Sequence, residues 1–423
     1  MEIAVLFGSM FVLMFLSVPI GIVLGASVII TLLYTGTIPL LMVAQNAFAA
    51  LDSFPLLAIP FFILAGSLMG YGGISRRLVM LAEALIGAIT GGLAMVTITA
   101  CMFFAAISGS APATVSAIGS FMIPAMKEKR YDEDFAAALT AIAGSIGAII
   151  PPSIPFVLYG VISGASIGEL FISGIVPGIL VGIALMIVSY FIAKKRNWMV
   201  STERIPLLQA LRESIWALFV PIIILGGIYG GIFTPTEAAV VASVYALVIG
   251  KFVYKELDFK VMYEAFKEAS LVNGATSFMI GFSMSFAAFI TMEQIPVKIT
   301  EMMLSISSST IVILLLINIL LLIVGCFVDT ISATIVLTPI LLPIVTKLGM
   351  DPVHFGLQMV IAFCIGYVTP PYGCNLFVAS AISNVSVIRI SKAVLPMVAI
   401  MTLLLFLFTY VPAIGMSLVW LLR

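Results

Sequence analysis

The chain alternates long apolar stretches with short polar loops, and the stretches cover almost all of it. Many of them approach or exceed the roughly 20 residues that a helix needs to cross a bilayer, including residues 170–193, 311–328 and 394–411. Their apolar residues are continuous rather than alternating, which favours helices over the strands of a barrel. Because backbone groups in lipid must be paired within the protein, the pattern predicts an all-α integral membrane protein.

Composition excludes a water-soluble fold. Hydrophobic residues make up 62% of the chain and charged residues 9%, with a mean hydropathy of +1.28, whereas soluble domains are roughly half apolar and about a quarter charged. The 19 basic and 19 acidic residues balance, so no excess of positive charge indicates nucleic acid as a partner. The first apolar stretch lacks a basic n-region and is followed by more spans, so we expect a membrane helix there rather than a cleaved signal.

Residues that commonly carry catalysis are scarce. The four cysteines lie singly in apolar stretches and His354 is the only histidine, so neither a metal cluster nor a Cys/His nucleophile is expected. Paired carboxylates and a Gly-rich phosphate loop are also missing from the sequence. The sequence therefore predicts neither an enzyme nor a bound cofactor. His354 follows the polar turn at Asp351-Pro352, and we expect it at the outer surface without a role.

The sequence repeats itself at a spacing of 219 residues. Without a gap, this spacing superposes four prolines, an aspartate and a glycine on identical residues: Pro124 on Pro343, Asp132 on Asp351, Gly147 on Gly366, Pro151-Pro152 on Pro370-Pro371 and Pro177 on Pro396. We expect residues 1–423 to form a single membrane transport unit. Repeat one then covers 54–193, connecting scaffold helices cover 194–270, and repeat two covers 271–412.

Basic residues predict that the two copies have opposite orientations, because cytoplasmic loops are enriched in Lys and Arg. A basic cluster at 127–130 follows the middle of copy one, whereas the matching stretch of copy two holds only Lys347. Near the other end the difference is reversed: residues 163–170 of copy one include no basic residue, whereas copy two has Arg389 and Lys392. The sequence therefore predicts inverted-topology repeats.

Each copy is predicted to contain a re-entrant helical hairpin and a broken helix. The segments on either side of 108–112 are short for full spans, and basic residues at 76–77 and 127–130 place both hairpin ends on one side. The predicted hairpins are 93–126 and 311–345, and the predicted broken helices are 133–163 and 353–382. Inverted repeats with helices broken at mid-membrane are typical of secondary transporters.

The breaks expose helix ends that can bind ions. Carbonyls at a helix C-terminus carry partial negative charge, and amides at an N-terminus carry partial positive charge. In copy one, carbonyls near Ala106-Ile107 and within 147–150 can converge on a small hard cation such as Na⁺, which prefers oxygen ligands. The hydroxyls of Ser108, Ser110 and Ser153 could complete this first cation site.

Copy two predicts a second cation site of the same design. Its candidate ligands are Gly325, Val328, Gly366, Thr369, Tyr372, Asn375 and the carboxylate of Asp329. Asp329 is the only acid in a long apolar stretch, and ionisable residues at such depth usually face a cavity or a transport pathway. Ser110 and Asp329 are also good N-cap residues, so helix capping alone is an alternative explanation of both.

Three other features have simpler structural explanations. A double proline is sufficient to break a helix without any further role, since it removes donors and clashes with the preceding turn. The segment 234–237 has the form of a capping box with proline in the first turn, which favours a helix start at Thr234. Asp52 is equally compatible with a cap and with a polar group at the translocation interface.

Six motifs follow one another along the chain: DSFP at 52–55, IPFFILAG at 59–66, SGSA at 108–111, IPPS at 150–153, FTPTEAA at 233–239 and TPP at 369–371. In this order, and over essentially the full chain, they resemble the large membrane subunit of tripartite ATP-independent periplasmic (TRAP) transporters. The resemblance implies a Na⁺-driven importer of organic acids in the bacterial inner membrane, working by an elevator mechanism. It also implies two partners, a small four-helix membrane subunit and a soluble periplasmic binding protein, which we expect to be separate polypeptides.

The resemblance also implies site residues. Cation sites of the family correspond here to backbone carbonyls near Phe103, Ala106, Gly147 and Ile150, and near Leu322, Gly325, Gly366, Thr369 and Tyr372. We expect the organic anion to contact Ser108, Ser110, Thr114, Asp329 and Asn375. The chain departs from the family at Ala113-Thr114, where other members often carry an acid. The segment KFVYKEL at 251–257 is most similar to sialic acid transporters, with C4-dicarboxylates as the alternative substrate.

Two rival functions follow from the same residues. A passive anion channel on this scaffold would need a continuous pore with a charged or carbonyl-lined filter, and it would conduct without a Na⁺ gradient. An intramembrane enzyme would need an acid/base pair or a metal cluster, which the sequence lacks. The twofold pattern of breaks favours the coupled transporter over both.

Overall fold

The computed structural model describes residues 2–16, 18–36, 38–198, 206–306, 309–371 and 373–423. All regular structure in these ranges is helical and none of it is strand, so the prediction of an all-α protein is confirmed. Eight of the described helical segments are long and apolar enough to cross a membrane. Several other apolar helices are shorter, and four of them contribute to the candidate site: Gly92–Ser108, Ile154–Ser163, Pro352–Gly366 and Cys374–Ser383.

Three helices precede the repeated region: α1 (Glu2–Phe15), α2 (Ile20–Thr35) and α3 (Leu41–Leu51). The first copy then supplies seven helices: α4 (Ala58–Tyr71), α5 (Ile74–Ile86), α6 (Gly92–Ser108), α7 (Ala111–Glu128), α8 (Glu133–Ser145), α9 (Ile154–Ser163) and α10 (Ile167–Arg196). Two connecting helices follow, α11 (Leu207–Tyr229) and α12 (Pro235–Val248). A short π-helix, Ile249–Val253, extends α12.

The second copy begins within one long helix and ends near the C-terminus. Its helices are α13 (Phe259–Met292), α14 (Ile295–Ile306), α15 (Thr310–Phe327), α16 (Thr330–Lys347), α17 (Pro352–Gly366), α18 (Cys374–Ser383) and α19 (Val387–Tyr410), followed by α20 (Pro412–Leu422). The predicted boundaries at 193/194 and 270/271 fall inside α10 and α13, because both helices continue through those positions without interruption.

The helix order repeats at the spacing of the sequence repeat. Helices α15 to α19 each begin within one residue of the position obtained by adding 219 to the start of α6 to α10. The two copies also exchange partners, since α7 packs against α18 and α16 packs against α9. Each copy thus contributes to the surroundings of the other, while the inverted orientation of the copies stays a prediction.

Two of the family motifs pack on each other outside the breaks. Thr236 Oγ1 donates to Phe54 O at 3.1 Å, and one heptad later Ser243 Oγ donates to Phe61 O at 2.8 Å. Helices α4 and α12 therefore run side by side in register. Thr234 forms the predicted capping box with Glu237, so this part of the sequence is explained by helix capping and packing.

Candidate functional site

The turn of the first hairpin contacts the break of the first broken helix. Helix α6 ends at Ser108, Gly109 adopts the left-handed conformation at φ 63°, and Ser110 is extended before α7 begins. Gly109 O accepts a hydrogen bond from Ile154 N, the first residue of α9, at 3.1 Å. A Cβ at Gly109 would lie 2.8 Å from Pro152 O, so only glycine allows this close approach.

Three oxygen atoms gather beside the turn. Ser108 Oγ and Thr114 Oγ1 are 3.0 Å apart, and Thr114 Oγ1 donates to Ser110 O at 2.8 Å. Ser110 makes no side-chain cap bond, although it occupies the N-cap position. A Cβ at Gly147 would lie 2.7 Å from Ser110 O and would also meet Thr114. The structure therefore brings Ser108, Ser110, Thr114 and Gly147 together.

The other predicted residues of the first site lie on the end of α6 and along the break of the broken helix. Phe103 and Ala106 lie on the last turns of α6, which packs against the 3-10 turn Ile146–Ala148. Ser153 Oγ donates to Ala148 O at 2.6 Å and accepts from Phe156 N at 3.3 Å, so it closes the break and caps α9. The Ile150 side chain packs against α10 at Gly178, which leaves only its backbone for the site.

The second hairpin turn is built around Asp329. Helix α15 ends at Phe327, Val328 is extended, and Asp329 caps α16 by accepting from Ser332 N at 3.0 Å. The cap predicted as an alternative for Asp329 is thus present. Asp329 Oδ1 has no hydrogen-bond partner among the described residues, and the same holds for the buried hydroxyls of Ser332 and Thr334. These two hydroxyls were not among the predicted site residues.

Backbone contact joins the second hairpin to the second break. Gly325 of α15 and Gly366 of α17 lie so close that a Cβ at Gly366 would collide with Gly325 O. Thr369 Oγ1 donates to Ile365 O at 2.7 Å and Thr369 N donates to Gly366 O at 3.1 Å, which closes the end of α17. Leu322 lies one turn before Gly325, and Tyr372 lies outside the described residues.

Asn375 connects the two copies. Its backbone N donates to Tyr367 O at 3.0 Å, and its Nδ2 donates to Ala141 O of α8 at 2.9 Å. The side chain is fully buried, and its Oδ1 has no partner within the described part of the chain. A buried amide oxygen at this position is available to a bound ion or substrate.

The second copy also contains a buried polar network that the sequence did not predict. Asn318 of α15 accepts from Gln358 Nε2 at 2.8 Å and donates to Thr409 Oγ1 of α19 at 3.1 Å. His354 is 4% exposed, with Nε2 at 2.8 Å from Phe408 O. Its predicted place at the outer surface is wrong, because it faces inward from the first turn of α17. A search for polar residues in apolar stretches would have found Asn318 and Gln358.

Two solved structures, both of membrane proteins, have a similar fold. The YdaH transporter of Alcanivorax borkumensis superposes with a TM-score of 0.66 at 14% identity, covering 92% of this chain and 90% of that one. The antimetabolite efflux pump MtrF of Neisseria gonorrhoeae gives 0.58 at 14% identity, covering 88% and 83%. At such low identity the likeness concerns the fold alone.

Sequence comparison shows the family of this chain. The family described as "Tripartite ATP-independent periplasmic transporter, DctM component" matches residues 7–414, and the chain belongs to this family of large TRAP permeases. It is therefore a multi-pass protein of the inner membrane, as the resemblance implied. The identification of the family from the six motifs is confirmed.

Three relatives differ in the substrate that their names state. The isethionate TRAP transporter permease DctMQ of Oleidesulfovibrio alaskensis is 52% identical over 97% of this chain, which spans 65% of that protein's length. The C4-dicarboxylate large permease DctM of Pseudomonas aeruginosa is 41% identical, covering 93% of both chains. The sialic acid large permease SiaM of Vibrio cholerae is 39% identical, covering 95% and 94%.

Proposed function

We propose that this large permease imports a small organic anion together with Na⁺. The observation that carries the proposal is the contact between each hairpin and a helix break, through Gly109 and Ile154 in copy one and through Gly325 and Gly366 in copy two. At both places helix ends and buried oxygens lie side by side in an apolar protein. Oxygen ligands of this kind suit a small hard cation, and amide ends suit an anion.

The Na⁺ sites of this proposal are assigned to the two clusters separately. The first uses backbone carbonyls of 103–106 and 147–150 with the hydroxyls of Ser108 and Thr114. The second uses carbonyls near Gly325, Gly366 and Thr369 with the carboxylate of Asp329. The organic anion lies between them, where Ser110 and Asn375 offer polar groups. In the proposed elevator mechanism both clusters belong to one moving body.

The elevator consists of a mobile body, α6–α10 with α15–α19, and a scaffold, α1–α5 with α11–α14. Within the mobile body α10 packs against α6, α9, α17 and α19, so its helices support one another. The scaffold has its own links, such as Ser285 Oγ of α13 donating to Val43 O of α3 at 2.8 Å. The two parts also meet, since α5 packs against α6 and both α13 and α14 pack against α16. These are the interfaces that slide in the proposed rigid-body movement.

Two partner proteins complete the proposed transporter. A small membrane subunit enlarges the scaffold. Helices α1–α3 expose large apolar side chains, such as Phe15 at 90% and Phe48 at 76%, which can face lipid or this partner. A soluble periplasmic protein delivers the substrate. Both partners follow from family membership rather than from any contact in this chain.

The substrate proposal gives isethionate priority over sialic acid. The segment 251–257, on which sialic acid was favoured, lies away from both clusters: Glu256 pairs with Arg77 at 2.7 Å, and the Arg77 guanidinium lies 3.6 Å from the centre of the Tyr254 ring. This segment links α5 to α12 and does not touch the breaks. Identity over nearly the whole chain is 52% to the isethionate permease and 39–41% to the C4-dicarboxylate and sialic acid permeases.

The test is uptake into proteoliposomes that contain the chain and its small subunit, with the binding protein outside. We expect labelled isethionate to accumulate only with the binding protein and an inward Na⁺ gradient. Succinate and a sialic acid serve as competitors. If either one inhibits uptake more strongly than unlabelled isethionate does, the substrate is assigned to the class of that competitor. Uptake that persists without Na⁺ and without the binding protein would instead support the passive anion channel.

A further inference from the structure

A basic cavity opens on the mobile body at the end where the basic loops lie. It has a volume of about 380 Å³ and lies between the end of α10, the start of α8 and the first three turns of α19. Three cations and one carboxylate line it: Lys195, Arg196, Lys392 and Asp132. None of these residues belongs to the clusters at the helix breaks, so the proposed transport function does not account for the cavity.

The charges of the cavity do not cancel. Arg196 Nη1 lies 3.4 Å from Asp132 Oδ2, and the nearby Arg389 is paired with Asp134 at 2.7 Å. Lys195 and Lys392 have no ion-pair partner among the described residues, so two ammonium groups remain at the opening. The cavity is therefore suited to an anion, with Arg196 and Asp132 fixed beside it.

An aromatic residue forms part of the wall of the same cavity. Trp198 also lines the cavity, with its ring 4.5 Å from that of Tyr131 in a stacked arrangement and 4.7 Å from that of Phe135. Tryptophan and tyrosine concentrate where a protein crosses the boundary between lipid and water. The aromatic residues therefore support a place for the cavity at headgroup depth.

Apolar stripes lead from the cavity along both helices. On α10 the exposed Ile187 and Phe191 precede Lys195 at four-residue intervals and lie within about 80° of it around the helix. On α19 the exposed Leu395 and Leu403 follow Lys392. Because α10 and α19 pack against each other, the two stripes begin at one cavity and continue into the apolar part of the protein.

We propose that the cavity binds the headgroup of an anionic phospholipid whose acyl chains lie along the two stripes. Lys195 and Lys392 donate hydrogen bonds to the phosphodiester, and Trp198 packs against the glycerol end. Basic pockets between membrane helices on the cytoplasmic side are suited to such headgroups. A soluble phosphate would satisfy the cations alone, whereas the continuous apolar stripes favour an amphipathic ligand.

The test measures lipid binding by the full chain in a neutral detergent. The melting temperature is measured at increasing concentrations of dioleoyl phosphatidylglycerol, with the zwitterionic dioleoyl phosphatidylcholine as the comparison without net charge. The double variant Lys195→Gln/Lys392→Gln should require roughly thirtyfold more phosphatidylglycerol, since each interfacial lysine contributes about a fivefold effect. Lys195→Arg/Lys392→Arg keeps both charges and should bind as the unmodified chain does.

A matched control removes two cations elsewhere. Lys194→Gln/Lys260→Gln changes the net charge equally, and both residues are exposed outside the cavity, so this variant should keep the response to phosphatidylglycerol. Equal weakening in the control and cavity variants would overturn the proposal in favour of general charge attraction. Inorganic phosphate or glycerol 1-phosphate that reproduces the shift without lipid would overturn it in favour of a soluble ligand.

Discussion

Buried oxygen atoms without partners are concentrated at the start of α16. Oδ1 of Asp329 and the hydroxyls of Ser332 and Thr334 have no hydrogen-bond partner in the described ranges, and an unsatisfied buried polar group costs about 1–3 kcal/mol. The cap of α16 uses only the other carboxylate oxygen of Asp329. A carboxylate repels an organic anion and attracts a cation, so we expect the charge of Asp329 to act on Na⁺.

The substitution Asp329→Asn separates capping from ion binding. Asparagine caps a helix about as well as aspartate, so the melting temperature should change little. Removal of the charge should raise the Na⁺ concentration for half-maximal uptake by about tenfold or more, because opposite unit charges about 4 Å apart attract by about 4 kcal/mol at an effective dielectric constant of about 20, and a tenfold change needs only about 1.4 kcal/mol. Asp258→Asn is the control, since Asp258 caps α13 from an exposed position by accepting from Val261 N. Normal Na⁺ dependence in Asp329→Asn would exclude the carboxylate as a ligand.

Two glycines permit the closest backbone contacts of the site. Alanine at Gly366 would collide with Gly325 O, and alanine at Gly147 would place its Cβ 2.7 Å from Ser110 O. Such overpacking costs about 1–3 kcal/mol, so each variant should lower apparent Na⁺ affinity by roughly 10- to 100-fold. Uptake against Na⁺ concentration and assembly with the small subunit are the two measurements.

Gly226→Ala is the matched control for both glycine variants, because nothing lies within 4 Å of the added Cβ in α11. It should leave Na⁺ dependence and assembly unchanged. If Gly147→Ala and Gly366→Ala behave in the same way as this control, the contacts between hairpins and breaks do not form the cation sites. Loss of assembly in either variant would indicate general misfolding instead.

Single residues of the site were predictable from the sequence where the cause is local. Gly109 and the prolines at 151–152 act on the backbone next to them, so the sequence shows them directly. The bond between Asn375 and Ala141 joins residues 234 positions apart, and no local pattern contains it. His354 was placed wrongly because a neighbouring polar turn says nothing about which helix face is buried.

At the scale of elements, the broken helices begin at matching ion pairs. Asp132 caps α8 by accepting from Asp134 N, and Asp351 caps α17 by accepting from Val353 N. Each aspartate also binds an arginine from elsewhere in the sequence: Arg196 at 3.4 Å in the first copy and Arg423 at 2.8 Å in the second. Arg423 also pairs with Glu169 of α10 at 2.7 Å, which connects α10, α17 and the C-terminus.

The pair at Asp351 predicts acid sensitivity. Burial alone would raise the pKa of Asp351, but the bonds from Arg423 and Val353 N outweigh burial and hold it below the ordinary value. A carboxyl with a lowered pKa stabilises the fold above its unfolded-state pKa of about 3.9 and loses this contribution as pH falls. Asp351→Asn should therefore lower the melting temperature at pH 7, with the difference from the unmodified chain shrinking below about pH 4.

Melting curves from pH 3 to pH 7 measure this effect. Arg423→Gln removes the other partner and should reproduce the same shrinking difference, although it also releases Glu169. A difference between Asp351→Asn and the unmodified chain that stays constant across this range would contradict a role for the ionised carboxylate. The lower melting temperature would then come only from the loss of hydrogen bonds whose contribution does not change with pH.

At the scale of the whole molecule, the two copies support each other rather than folding side by side. Helix α7 packs against α18 and α16 packs against α9, and Tyr159 OH donates to Pro352 O across the copies at 2.6 Å. The repeat itself was visible in the sequence because prolines and glycines recur in register. The exchange of partners was not, because the apolar side chains that carry it are interchangeable in a sequence pattern.

An elevator requires the mobile body to slide past the scaffold, and one contact between them can be locked. A Cβ at Gly168 of α10 would lie 3.7 Å from Cγ2 of Ile228 in α11, so cysteines at these two positions are near enough to be tested for a disulfide, whose Cβ atoms lie about 3.5–4.5 Å apart. Oxidation of the double variant Gly168→Cys/Ile228→Cys should lower the rate of uptake by at least about tenfold, and reduction should restore it. The reason is that relative movement of the two bodies is the proposed transport step. A disulfide inside the scaffold, formed by Gly21→Cys/Met279→Cys between α2 and α13, should have no such effect. Full activity of the cross-linked α10–α11 pair would show that transport proceeds without sliding at this contact.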